Sequence, residues 1–203
     1  MPTRYTDYIV VVDLECLCWR DDDRRKSFPE IIEIGVCKLD TLTCKVQDKT
    51  SYLVKPRMGI VSDFCTELTT ITQRQLEKDG IAFADAVSRI SKKFAPRNRQ
   101  WASYGEFDKI RFAEQCQFFQ WYNPFSNMHR NVKDEYQIIR NWTKGKSLKD
   151  VCEELSIEID GTLHRGNDDA VLVAKVLGKM IEFQRDGLSY YFQKAARSVR
   201  RGN

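Results

Sequence analysis

A chain of 203 residues, 42% hydrophobic and 31% charged, has ample material for one domain with a sizeable core, and it contains no apolar run near the roughly 18 residues of a membrane-spanning helix. The net charge of +4 is too small to argue for a nucleic-acid partner by itself. Seven scattered cysteines with no C-x-x-C pair, beside only two histidines, support neither a zinc site nor a disulfide framework, and point to reduced thiols in a cytoplasmic setting.

The N-terminal MPTRYTDY has no apolar leader segment, so no secretory signal is expected. The next stretch, IVVVDLECLCW from Ile9 to Trp19, reads as a strand over Tyr8–Leu14 buried on both faces. Asp13 and Glu15 lie two residues apart and so emerge on one face at its end. Two like charges there are costly to desolvate unless a cation sits between them, although a strand that simply meets solvent at Asp13 reads the same way. The polar loop WRDDDRRKSFPE follows, long enough to move, with Arg20–Lys26 at its centre. Strands Ile31–Leu39 and Lys45–Val54, joined by a turn at Asp40–Thr43, complete an antiparallel meander.

A capped helix starts near Thr72, and an amphipathic helix covers Ala82–Phe94. Trp101–Tyr104 reads as a short buried strand before helix Asp108–Phe119. Asn131–Lys133 reads as another before helix Glu135–Trp142. Ser147 is placed to cap helix Leu148–Leu155, with Asp150 completing a capping box. Asn167 or Asp168 opens helix Ala170–Phe183. Beyond it Arg185, Lys194, Arg197, Arg200 and Arg201 face a single acid, Asp186, as a solvated helix end or a phosphate-contacting tail. The chain thus divides into a domain at 1–183 and a basic C-terminal helix or tail at 184–203. A meander followed by alternating helices and short strands predicts an α/β fold, a mixed sheet flanked by helices in a single domain.

Two further segments carry acids. In YGEFD, Asp108 falls on the first turn of a helix, where an acid also serves as a cap, and Glu106 competes for that duty. In HRGNDDA, Asp169 aligns with the apolar stripe of Val173, Val176 and Met180, while Asp168 lies on the wet side with Lys175 and Lys179. An acid on a buried stripe needs a metal ion or a basic partner, and His164 stands five residues before it. Asp13, Glu15, Asp108 and Asp169 together make four negative charges, which two divalent cations balance. Oxygen-only ligands suit magnesium or manganese, and a two-ion site of this kind stabilises the attacking and leaving oxygens of phosphodiester hydrolysis. A histidine beside it is suited to take a proton from water near neutral pH.

D-x-E in an apolar strand, F-D at a strand-to-helix turn and H-x4-D at a final helix resemble the DEDDh 3′→5′ exonucleases. The tyrosine-type sister group needs a tyrosine where this chain has Arg165. EIIEIG (Glu30–Gly35), DFCTELTTIT (Asp63–Thr72), AEQCQ (Ala113–Gln117) and LHRGNDD are similar to the Eri-1-type subgroup, over about Tyr8–Phe183. That resemblance implies a ribonuclease-H-like core. It implies one ion on Asp13, Glu15 and Asp169, a second on Asp13 and Asp108, and His164 as general base. Two Mg2+ are implied, with Mn2+ substituting. The terminal nucleotide would lie at Cys16, Phe64, Leu68, Thr69 and Phe107, although Phe64 and Phe107 read equally as core packing. The glutamates of EIIEIG are read as strand and loop residues, not ligands. Thr70 departs from the glycine often found there. The implied activity removes nucleoside 5′-monophosphates from single-stranded 3′ ends, RNA favoured, with no membrane involved. A single-stranded DNA exonuclease of proofreading or repair type, and a non-catalytic nucleic-acid-binding relative, are the alternatives.

Overall fold

Residue parity along the first strand decides which half of the molecule each element joins. The structure is a computed structural model that describes residues 6–21, 28–161 and 164–200, with side chains as far as residue 187. Strand β1 spans Tyr8–Cys16, β2 Ile31–Asp40 and β3 Val46–Leu53. They pair antiparallel in the expected meander. Strands β4 (Trp101–Ser103) and β5 (His129–Asn131) add in parallel beyond β1, so the sheet runs β3-β2-β1-β4-β5. The helices are α1 (Asp63–Thr69), α2 (Gln73–Asp79), α3 (Phe83–Phe94), α4 (Phe107–Phe118), α5 (Val132–Ile139), α6 (Leu148–Glu154) and α7 (Gly166–Arg200). This mixed sheet between helical layers is the ribonuclease-H-like architecture expected from the sequence. No helix among the described residues is long and apolar enough to cross a membrane.

On β1, Val10, Val12 and Leu14 face a layer built by Phe83, Val87, Ile90 and Phe94 of α3 and Phe112 of α4. Ile9 and Val11 face the opposite layer, against Ala170, Val173, Val176 and Leu177 of α7 and Tyr136 of α5. Each such side chain, fully buried, contributes about 1.5–3 kcal/mol, so both layers are firmly held. Asp13 and Glu15 continue the odd-numbered row and therefore emerge on the α7 face. Strand β1 runs two residues further than expected, because Glu15 still pairs with Glu33 and, across a bulge, Cys16 with Ile31.

The caps at Thr72 and Ser147 form as the sequence indicates, each a complete capping box. Helix α1 is an addition to the expected elements: Ser62 Oγ accepts from the Cys65 amide to start it, and Thr70 ends it in the left-handed region at φ 63°. That conformation is the reason a glycine suits position 70, since a β-branched side chain is strained there. The strand expected at Asn131–Lys133 ends at Asn131, whose side chain accepts from the Asp134 amide and turns the chain into α5. Most of the Arg20–Lys26 stretch, and the side chains of Lys194, Arg197, Arg200 and Arg201, lie outside the described residues.

Helix α7 begins at Gly166, earlier than expected, and its first turn rests directly on β2. A Cβ at Gly35 would land on the Gly166 carbonyl, and one at Gly166 would lie 2.8 Å from the Gly35 nitrogen. Backbone meets backbone here because neither residue has a side chain. Gly35→Ala is expected to cost about 1–3 kcal/mol by forcing α7 off the sheet. Urea denaturation measures it, and an unchanged midpoint would show that the two backbones are not in contact.

Candidate active site

Three elements converge at the C-terminal end of β1. Asp13 and Glu15 come from the strand itself, Asp108 from the first turn of α4, and Asp169 from the first turn of α7. Glu15 is 8%, Asp108 5% and Asp169 7% exposed, all unusually low for acids. Asp108 is tied to the strand, its Oδ1 accepting the Leu14 amide at 3.0 Å. Asp169 Oδ2 accepts the His164 amide at 2.7 Å. Ligand atoms of Glu15, His164 and Asp169 lie within 4.8 Å of one another. The His164 side chain is exposed at the rim.

All five predicted catalytic residues line one cleft of about 1130 Å3, together with Cys16, Leu68 and Phe107. Phe107 is 53% exposed, so it is not a core residue. Two of the residues expected at the nucleotide do not line the cleft. Thr69 is fully buried, and its hydroxyl donates to the Cys65 carbonyl and accepts from the Ile71 amide, so it does not face the cleft. Phe64 also lies outside the cleft lining, with the Arg20 guanidinium over its ring at 5.5 Å. Glu106, the rival of Asp108, is exposed and bonds Lys109 and Asn131.

Sequence reasoning passes over Trp19, Arg111, Ser147 and Lys149, all of which line the cleft. Arg111 is findable, since it follows Asp108 by three residues and shares its helix face. It pairs with Glu114 and lies over the Phe107 ring. Lys149 gives no signal, because its approach depends on where α6 packs. The second histidine, His129, is elsewhere: its Nε2 lies 2.9 Å from Ser103 Oγ, whose hydroxyl donates to the Gly105 carbonyl.

Burial raises the carboxyl pKa of all four acids, and repulsion from neighbouring acids adds to it at each. Glu15 is pushed up to about 8, by burial first and then by Asp169 and Glu33. Asp108 rises to about 7, burial outweighing the bond from the Leu14 amide. Asp13 is raised by burial and then by Asp108, Asp169, Glu15 and Glu33. Asp169 is raised by burial against the opposing His164 amide. Among the described residues, Arg165 pairs with Glu33 and Arg111 with Glu114, and neither forms an ion pair with any of the four. Asp169 Oδ1 is buried without a hydrogen-bond partner. An orphaned carboxylate oxygen among unneutralised acids is the donor set a hard divalent cation takes.

A pH dependence follows. The cation-free folded protein keeps protons that an unfolded glutamate, with a pKa of 4.5, has already released. The unfolded state therefore binds fewer protons between about pH 4.5 and 8, and stability falls as pH rises through that window. In EDTA the melting temperature is expected to drop from about pH 5 to about pH 8, and magnesium or Glu15→Gln should flatten the drop. Scanning fluorimetry reads this, and a pH-independent melt in EDTA would contradict the raised carboxyl pKa values.

Comparison with known proteins places this arrangement. The family model Exonuclease (RNase_T) matches residues 10–177. The human protein 3'-5' exoribonuclease 1 is 30% identical over 88% of this chain and 53% of its own. The chain spans about half the length of the curated mammalian relatives it matches under that name. The nuclease domain of 3'hExo, a DEDDh family member solved bound to rAMP, superposes with a TM-score of 0.77 at 27% identity, covering 89% of this chain and 94% of that one. A 3'-exonuclease solved in recognition of the histone mRNA stem-loop superposes at 0.76 with 28% identity, over 88% of this chain and 65% of that one. With its acids and histidine gathered in one cleft, the chain belongs to the exonuclease family, as an Eri-1-like DEDDh member.

Proposed function

We propose that the protein is a 3′→5′ exonuclease that releases nucleoside 5′-monophosphates from single-stranded 3′ ends, RNA before DNA. The observation that carries this reading is the gathering of three buried carboxylates, Glu15, Asp108 and Asp169, and the half-buried Asp13, none of them neutralised, beside a rim histidine. Exonucleases of this family depend on divalent metal. We assign one Mg2+ to Asp13, Glu15 and Asp169 and a second to Asp13 and Asp108, with Mn2+ able to replace both. When bound, such ions supply Lewis acidity at the attacking and leaving oxygens.

The chain's own groups do the rest. His164, exposed at the cleft edge and within 4.8 Å of the ligand atoms of Glu15 and Asp169, takes the proton from the attacking water. Leu68 and the half-exposed Phe107 receive the terminal sugar and base, and stacking of this kind contributes about 1–3 kcal/mol per base without reading sequence. Arg111 and Lys149 face the same cleft and suit the phosphates of the strand behind the terminal nucleotide. The preference for RNA follows the relatives named exoribonuclease. We assign the catalytic unit to residues 1–183 and treat 184–203, where α7 continues, as an appendage. Seven free cysteines, five of them buried, agree with a reducing, cytoplasmic setting.

The test is a 5′-labelled single-stranded RNA and its DNA counterpart, incubated with magnesium or EDTA and resolved to single nucleotides. A magnesium-dependent ladder shortening from the 3′ end is expected, faster on RNA. Asp13→Asn should abolish it, and His164→Ala should slow it about 10²–10⁴-fold. A cleavage pattern that starts inside the strand, or no cleavage of either substrate, would overturn the reading.

A further inference from the structure

A fifth acid, Glu33, stands on the same face of the sheet and takes no part in that chemistry. It sits opposite Glu15 in the β1–β2 register, so the two side chains point the same way. It is 0% exposed. A carboxylate this deep persists only when donors surround it, and here they do. Arg165 grips it with both arms of its fork, Nε to Oε2 and Nη2 to Oε1, each at 3.1 Å. The Gly166 amide donates to Oε2 at 3.0 Å, and the Ser51 hydroxyl donates to Oε1. With its oxygens so engaged, Glu33 has little left to offer a metal ion.

The donors matter for where they sit in the chain. Arg165 and Gly166 directly follow His164, whose backbone is held at φ 63°, in the left-handed region. A non-glycine residue stays there only where its surroundings over-determine it. The segment has three such restraints: the His164 amide on Asp169, the Arg165 guanidinium on Glu33 and the Gly166 amide on Glu33. Two of the three end on one carboxylate, anchored in the central part of the sheet. Arg165 Nη1 also reaches Thr70 Oγ1 at 3.5 Å, which ties the end of α1 to the same point.

We propose that Glu33 is a positioning residue: through Arg165 and the Gly166 amide it fixes the strained backbone of His164, and so aims the imidazole into the cleft. This rests on the exonuclease reading for its kinetic consequence, although not for its structural one. Neighbours that orient a catalytic or ligand side chain commonly carry about 10–100-fold in activity.

Glu33→Gln keeps the shape and removes the charge, and Arg165→Ala breaks the same clamp from its partly exposed side without touching the core. In metal-free protein, both are expected to speed amide hydrogen exchange in a peptide covering residues 164–169 while α3 stays as protected as in wild type. On single-stranded RNA with magnesium, both should lower kcat about 10–100-fold with little change in KM, and Arg165→Lys, which keeps the charge but not the fork, should fall between. In a His164→Ala background, Glu33→Gln should add almost nothing, because its effect passes through the imidazole. A purely structural role would instead lower stability and multiply with His164→Ala. Wild-type exchange and wild-type kcat in both variants would overturn the proposal, as would full additivity with His164→Ala. If Glu33→Gln does not fold, Arg165→Ala is judged on the same measurements. If wild-type protein shortens neither nucleic acid, the exonuclease reading fails, and the exchange measurement still decides whether the clamp exists.

Discussion

The contact between two bare backbones, Gly35 on β2 and Gly166 at the start of α7, sets the geometry on which the site depends. It lets a helix approach a sheet more closely than side-chain packing allows. The approach brings Asp169 down toward Asp13 and Glu15, and it sets the Gly166 amide against Glu33. From there the chain runs back through Arg165 to His164. One steric allowance thus governs the placement of an acid, a histidine and the ion pair between them.

Around that contact, the sheet divides its residues by parity. Even positions of β1 go to the layer under α3, and odd positions to the layer under α7. The apolar members of the odd row supply the packing that holds four mutually repelling acids together. In the cation-free state the acids oppose the fold, and the raised pKa of each is the measure of that opposition. The arrangement is stable because burial of Val11, Val173, Val176 and their neighbours outweighs it. Active sites commonly keep local destabilisation of this kind where chemistry needs it.

Much of this is legible from the chain alone, for identifiable reasons. Period two puts Asp13 and Glu15 on one face, and period 3.6 turns Asp169 inward. The three-strand meander and both capping boxes rest on local rules, and the structure contains them. What cannot be read is tertiary. Helix α1 is only seven residues long and has no full apolar stripe to announce it. Without it, Thr69 and Leu68 look equally available, whereas the helix turns one into the core and the other into the cleft. Lys149 reaches the cleft through the docking of a separate helix. The role of Glu33 is hidden because its partner lies 132 residues away in sequence.

The protons that the buried acids of the cleft keep have a further consequence. With Glu15 raised to about 8 and Asp108 to about 7, a cation that takes these carboxylates as ligands must first displace their protons. Cation and proton are then linked ligands that compete for the same oxygens. Uptake at such a site strengthens as pH rises and releases acid as it proceeds.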